Sequence, residues 1–229
     1  MVGRIPLPSG RKLIPGAVMK RHVRGILVAA CALLVLLLAG VVGVAWWFSR
    51  GPGFRRECDR LAATAAIRPG MTVADVGAGS GRIAVSIAAR LGASGRLYAT
   101  ELSEVRLREI KRRAAAEGLA NLIPIQAGVS TTGLAGDCCD VIYMRRVYHH
   151  LTDPAAIAAG LYSSLRPGGR LIVIDMLTPQ WLPNFLQHGI SSEAIRGGLE
   201  SAGFLFEGRV DWRSSIDYCL VFRKAARRD

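Results

Sequence analysis

The sequence predicts an α/β domain built on a mostly parallel sheet of seven strands with helices on both faces, preceded by one transmembrane helix. Three observations carry this expectation. Ile26 to Phe48 is a run of 23 residues without a single charge. From Met71 onward, apolar runs of strand length alternate with longer segments of helical periodicity, the pattern of a parallel sheet covered on both faces. A glycine-rich string, Val73 to Arg82, stands between the first of those strands and the first of those helices.

A chain of 229 residues accommodates one α/β domain and an appendage, not two catalytic domains. Its mean hydropathy of +0.29 is high for an enzyme, and Ile26–Phe48 is the main source. A helix of that length reaches roughly 34 Å, enough to cross a hydrocarbon core of about 30 Å. Arg24 and Arg50 flank the run, and Trp46, Trp47 and Phe48 stand where an interfacial aromatic belt belongs. A buried soluble helix would not account for these flanks. A cleaved signal peptide would suit Lys20, Arg21 and Arg24, but the apolar run exceeds the usual ~7–15 residues and no small-residue cleavage site follows it. The lipobox-like Val28-Ala29-Ala30-Cys31 reads as coincidence, because most of the apolar run lies after the cysteine.

Residues 1–50 carry seven Lys and Arg and no acid, so more than half of the formal charge of +13 lies in this first stretch. Six of those seven bases precede the apolar run and suit anionic lipid. The expected partner is therefore membrane lipid, through the N-terminal helix. Nucleic acid is not expected, since no helix-turn-helix signature, aromatic-basic RNA motif or metal knuckle is present. The five cysteines, Cys31, Cys58, Cys138, Cys139 and Cys219, lack the spacing of a disulfide framework or zinc site, so a reducing compartment and no metal are expected.

Residues 1–25, with Pro6, Pro8 and Pro15 among basic residues, read as a disordered arm before the transmembrane helix of residues 26–48. Residues 49–68 form a linker, broken at Gly51-Pro52-Gly53, and a lead-in helix over Phe54–Ile67. Residues 69–229 form the domain. Its strands are expected at Thr72–Gly77, Arg96–Leu102, Leu122–Ala127, Asp140–Met144, Arg170–Met176, Phe204–Val210 and Asp217–Phe222. Helices are expected at Arg82–Leu91, Glu104–Glu117, Pro154–Leu165 and Ser192–Ser201, with Asp153 capping the third and Pro154 at its first position. Arg166-Pro167-Gly168-Gly169 reads as the turn into the fifth strand.

The string Asp75-Val76-Gly77-Ala78-Gly79-Ser80-Gly81-Arg82 follows a strand and opens a helix, the context a cofactor loop requires. Glycine lets the backbone turn sharply and approach a ligand, and the helix N-terminus offers free N–H groups. A dinucleotide fingerprint, G-x-G-x-x-G, would need glycine where Arg82 stands, which disfavours an NAD-dependent oxidoreductase. No G-x-x-x-x-G-K-[ST] is present, which disfavours a P-loop.

With G-x-G-x-G after Asp75, the sequence resembles class I S-adenosylmethionine-dependent methyltransferases over roughly residues 54–225. Leu97-Tyr98-Ala99-Thr100-Glu101-Leu102 is similar to the family's second motif, Asp140–Met144 to its fourth-strand motif, and Leu165–Leu171 to the turn before strand five. Tyr148-His149-His150-Leu151-Thr152-Asp153-Pro154 resembles a segment of a group of small bacterial methyltransferases. The resemblance implies a Rossmann-like fold and S-adenosylmethionine as cofactor. It implies that Asp75, Gly77, Ala78, Gly79 and Gly81 form the cofactor loop, and that Glu101, beside Leu102, holds the two ribose hydroxyls, which a carboxylate can accept. Where the family often has an acidic residue after strand three, this chain has Gly128 and Val129, so adenine recognition there would fall to backbone or to another side chain.

Methyl transfer from a sulfonium needs orientation more than a catalytic triad. An oxygen or acidic-carbon nucleophile would still profit from a base, and His149 and His150 follow the fourth strand at the carboxyl edge of the sheet, where open α/β folds bind ligands. Adjacent positions point in different directions, and a histidine capping the turn is the structural alternative. Arg145 and Arg146 could meet an anionic substrate or the donor's carboxylate, yet arginine near a sulfonium is electrostatically awkward. Thr178–Ile190, with Trp181, Leu182, Pro183, Phe185, Leu186 and His188, reads as a lid over an apolar substrate or as ordinary packing. The expectation is a single-pass protein of the bacterial inner membrane with its catalytic domain in the cytoplasm, where the donor is made, methylating a small-molecule or lipid-like acceptor. The alternative is a non-catalytic scaffold that retained the fold, for which Arg145-Arg146 is the motivating feature.

Overall fold

A computed structural model describes residues 15–177, 189–212 and 217–227, apart from the side chains of residues 15–26, 45–50 and 52. The chain divides into two compact units, Met1–Pro52 and Gly53–Asp229. Among its described residues the first holds one helix, α1 (Pro15–Arg50), which begins eleven residues before the expected span and so takes in part of the expected disordered arm. Its side chains from Leu27 to Val44 are exposed. The aromatic belt at Trp46–Phe48 lies outside the described side chains.

The second unit runs α2 (Pro52–Thr64), β1 (Thr72–Val76), α3 (Arg82–Leu91), β2 (Arg96–Glu101), α4 (Glu104–Ala116), β3 (Leu122–Gln126), β4 (Cys139–Arg145), a 3-10 turn (Tyr148–His150), α5 (Pro154–Ser164), β5 (Leu165–Met176), α6 (Ser192–Ser201), β6 (Leu205–Asp211) and β7 (Asp217–Arg223). The sheet order is β3-β2-β1-β4-β5-β7-β6. The first five strands pair in parallel, and β7 runs antiparallel between β5 and β6. This is the Rossmann-like seven-stranded sheet that the sequence predicts.

Alternation within the strands sorts the core into two layers. Val141 and Tyr143 of β4, with Ile172 and Ile174 of β5, face a layer completed by Leu61 of α2, Ile87 and Leu91 of α3 and Ile110 of α4. Ile142, Met144, Leu171 and Val173 face the opposite layer with Ile157 and Leu161 of α5 and Ile195 and Leu199 of α6. Both faces of the inner strands are covered, which is why these strands read as unbroken apolar runs rather than alternating ones. Local capping follows the sequence: the Asp153 carboxylate accepts from the Ala156 N–H at 3.0 Å, with Pro154 at the first helical position.

Within the sheet, the boundary that moves furthest is the start of the fifth strand. Arg166–Gly169 is not a free turn: β5 already begins at Leu165, which pairs with Cys139, and the register then shifts so that Val141 faces Arg170. The extra residues are absorbed as a bulge within the ladder. Of the segment Thr178–Ile190, expected as a lid or as ordinary packing, residues 178–188 lie outside the described residues.

Candidate active site

The glycine loop joins β1 to α3 through three left-handed positions, Gly77, Gly79 and Gly81, at φ 75°, 55° and 76°. They serve different purposes. A Cβ on Gly77 would lie 2.5 Å from a Val147 methyl, and one on Gly81 2.7 Å from Ile110 Cγ1, so these two let the loop pack against the turn after β4 and against α4. A Cβ on Gly79 would meet nothing within 4 Å. Its open face is where a ligand can approach the backbone.

β2 delivers the partner of this loop. The Thr100 carbonyl accepts from the N–H groups of Gly77 (2.9 Å) and Ala78 (3.0 Å). At the next residue, Glu101 Oε2 accepts from the Gly79 N–H at 2.8 Å, while Oε1 accepts from Leu102 (2.8 Å) and Ser103 (3.1 Å). One carboxylate thus fixes both the glycine loop and the end of β2. Each carboxylate oxygen has two lone pairs, and the three bonds leave capacity for one more donor.

Beside it opens a cavity of about 230 Å³ lined by Gly77, Glu101, Leu102, Gly128, Val129 and His150, among others. Six of the residues singled out in the sequence therefore meet in one place. Leu102 and Val129 leave apolar side chains exposed there, 54% and 64% respectively, although burial is what such side chains favour. The Gly128 N–H is taken by the Thr131 carbonyl at 2.9 Å.

The remaining expected residues stand elsewhere. Ala78 packs against the core and Gly81 against α4, behind the cavity wall. Asp75 is buried beneath the loop and does not line the cavity. Burial pushes its carboxyl up to about 7, against the pull of the Tyr143 hydroxyl and the Arg145 guanidinium.

The two histidines part company. His150 is exposed and lines the cavity. His149, whose ring lies 3.9 Å from that of His150, turns away, and its Nδ1 donates to Asp175 Oδ1 at 2.6 Å. Asp175 is fully buried near the carboxyl end of β5 and also accepts from the Met176 N–H at 2.9 Å. Sequence reasoning missed Asp175. Its signal was a charge directly after the four apolar residues Leu171–Ile174, where apolar packing gives no reason for one.

Arg145 and Arg146 face anions of their own. Arg145 Nε donates to Glu57 Oε1 at 2.7 Å, and the Trp212 indole N–H donates to the same oxygen at 3.3 Å. Arg146 donates to Asp217 Oδ1 at 2.8 Å while its own backbone is held at φ 55°. Both carboxylates are buried, with side chains 3% and 5% exposed. The charge that made these arginines awkward neighbours of a sulfonium is thus met from α2 and β7.

Fold, loop and strand-end carboxylate are similar to those of class I S-adenosylmethionine-dependent methyltransferases, and the comparisons agree. A family model described as "Methyltransferase domain" matches residues 73–169. The ubiquinone/menaquinone biosynthesis C-methyltransferase UbiE of Marinomonas sp. (strain MWYL1) is 26% identical over 115 residues, covering 50% of this chain and 46% of that protein. An uncharacterized 37.1 kDa protein in transposon TN4556 of Streptomyces fradiae is 32% identical over 114 residues, 50% of this chain and 32% of that one. The chain thus spans about half the length, or less, of the curated relatives it matches.

Among solved structures, a SAM-dependent methyltransferase from Aquifex aeolicus superposes with a TM-score of 0.65 at 22% identity, over 73% of this chain and 89% of its own. The [4+2]-cyclase SpnF superposes with a TM-score of 0.66 at 16% identity, over 75% and 80%. At such identities the likeness is one of fold, and a cyclase among the neighbours illustrates that fold alone does not fix the reaction. The cofactor of the class is S-adenosylmethionine. The open face of Gly79, the spare capacity of Glu101 and the exposed Leu102 and Val129 suit a ligand with a sugar hydroxyl and a flat base.

Proposed function

We propose that this chain transfers a methyl group from S-adenosylmethionine to a small-molecule or lipid-like acceptor while tethered to a membrane by α1. The observation that carries the reading is Glu101, whose carboxylate holds the Gly79 N–H and the end of β2 in the lining of a cavity of about 230 Å³. In this reading Glu101 accepts a ribose hydroxyl at its remaining lone pair, Leu102 and Val129 flank the adenine, the backbone of Gly77–Gly79 approaches the rest of the donor, and Gly128 shapes the adenine end. Asp75, Ala78 and Gly81 support the loop from behind. When bound, the donor supplies an electrophilic methyl carbon. The protein's part is to orient it, exclude water and handle the acceptor's proton, for which His149 and His150 are the candidates.

The tether is supported by Leu27–Val44, a helical stretch long and apolar enough to span a bilayer, whose described side chains are exposed. Placing the enzyme at a bilayer favours acceptors dissolved in it, and several curated relatives are named for quinone biosynthesis. A cytoplasmic domain beside the inner membrane is part of the same reading, since that is where the donor is made. The scaffold alternative loses its original motive now that Arg145 and Arg146 each face a carboxylate.

Calorimetry of the full chain in detergent, titrated with S-adenosylmethionine, S-adenosylhomocysteine and NAD, tests the cofactor. Binding of the first two and not the third is expected, and failure of both sulfur ligands to bind would overturn the reading. Radiolabelled methyl transfer to a bacterial lipid extract then separates an enzyme from a scaffold, which would bind the donor and transfer nothing.

A further inference from the structure

The edge of the sheet away from the glycine loop holds a second cavity, of about 420 Å³, which shares no lining residue with the first. It arises from the irregular start of β5. Between the pairs Cys139–Leu165 and Val141–Arg170, Asp140 alone is opposed to residues 166–169, and the surplus backbone bows out of the ladder. Gly168 stands in the cavity wall at φ 79°, where a Cβ would meet nothing within 4 Å.

Four arginines line this cavity: Arg68 ahead of β1, Arg166 in the bulge, Arg170 of β5 and Arg223 at the end of β7. Two carboxylates answer them. Asp140 Oδ1 accepts from Nη1 of Arg166 at 2.5 Å, and its Oδ2 accepts from the Thr72 N–H at 2.7 Å. Glu207 of β6 is shared, lying 3.4 Å from Nε of Arg170 and 2.6 Å from Nε of Arg223. Among the described residues the Arg68 guanidinium has no bonded partner, and neither have the terminal nitrogens of Arg170 and Arg223 or Nη2 of Arg166. The same imbalance continues alongside, where Lys224 and Arg227 share Asp137. Arg170 and Arg223 also face each other directly across the β5–β7 ladder. Like charges so placed destabilise a sheet, and one shared carboxylate offsets half of their charge. A bound anion would account for them.

We propose that this cavity binds a phosphate monoester through Arg68, Arg166, Arg170 and Arg223. The charges match: four guanidinium groups against two carboxylates leave +2, and a phosphate monoester carries about −1.5 to −2 at pH 7. A diester has a single charge and one free oxygen fewer. Guanidinium suits the task because its planar fork meets two phosphate oxygens at once. The volume leaves room beside the phosphate for the organic part of the ester. That phosphate belongs either to a soluble metabolite or to a lipid headgroup, as in phosphatidic acid. The site is separate from the cofactor cavity, so it stands whether or not the chain transfers methyl groups.

The test uses the delipidated full chain in detergent micelles at constant ionic strength, in two arms. In the first, calorimetry measures binding of glycerol 3-phosphate, with dimethyl phosphate as the diester. In the second, melting temperature is compared between micelles doped equally with phosphatidic acid or with phosphatidylglycerol, a bound ligand raising it. A response in the first arm alone assigns a soluble ester, one in the second alone assigns a lipid headgroup, and one in both assigns a site open to either. Wherever the response appears, it should depend on the arginines. Arg170→Gln combined with Arg223→Gln should weaken glycerol 3-phosphate about tenfold or remove the melting shift, and Arg68→Gln, outside the sheet, should do the same without touching the ladder. Dimethyl phosphate should bind about tenfold more weakly than the monoester. Silence in both arms, a response undiminished in both arginine variants, or an equal response to the diester of the responding arm each overturns the proposal.

Discussion

Glu101 and Gly79 meet at one hydrogen bond, but their substitutions should fail differently. Glu101→Ala removes the acceptor of three backbone N–H groups as well as the proposed ribose contact. Hydrogen bonds to a charged group are worth about 1.5–3 kcal/mol each, so donor affinity measured by calorimetry should drop at least tenfold, with some loss of melting temperature. Gly79→Val forces a β-branched side chain to φ 55° and fills the open face of the loop, so donor binding should vanish while the fold survives. Gly77→Val, where a Cβ meets Val147 at 2.5 Å, should destabilise the domain itself. Asp75 adds a pH dependence. Unfolded, its carboxyl titrates near 4; folded, near 7. Between those values the native state keeps a proton that the unfolded chain has released, so stability falls as pH rises from about 4 to about 7 and stays lowered above that. The difference corresponds to about 4 kcal/mol, and Asp75→Asn should flatten the slope in unfolding measured across that range. The loop and Glu101 were legible in the sequence because spacing and strand position define them locally. Asp175 was not, because its partner lies 26 residues away and only the β4–β5 neighbourhood brings them together.

At the scale of elements, α2 is the piece whose importance the sequence understated. It reads as a lead-in helix, yet it supplies Glu57 to Arg145 and to Trp212, Leu61 to the core, and Arg60, which donates to the Trp212 carbonyl at 2.6 Å. It thereby ties the end of β4 to the end of β6. Breaking a buried pair from one side strands the other charge and typically costs about 3–5 kcal/mol, discounted here because Arg145 is 26% exposed. Glu57→Ala should therefore destabilise more than Glu57→Ala combined with Arg145→Met, and a double-mutant cycle in chemical denaturation measures the difference. Strand positions in β1 to β4 were readable to within a residue or two, since each is a short apolar run bounded by polar or turn residues. The start of β5 was misread because Pro and Gly signal a turn, while the ladder with Cys139 overrides that local preference by bulging.

For the molecule as a whole, the uneven distribution of apolar surface matters most. In α1, Leu33, Leu34, Leu36 and Leu37 are all more than half exposed, whereas leucines at the core of the domain are buried. Replacing Leu34 and Leu37 with Asp, at about 3 kcal/mol each in a membrane interior, should move the chain from the membrane fraction to the soluble one without altering donor affinity. The sheet order carries a second consequence, for the sequence of events in synthesis. β6 has one neighbour in the sheet, β7, and β7 is made after it. On the ribosome, β1 to β5 can assemble as soon as they emerge, but β6 must wait with both edges bare until β7 inserts between it and β5. Asp217 and Tyr218, at the leading end of β7, arrive in that same event, so Arg146 gains its counter-charge and Tyr218 comes to face Asp175 only at the final step of folding. A nascent chain stalled before β7 would already have its glycine loop and Glu101 while its proposed proton-handling side remained unfinished.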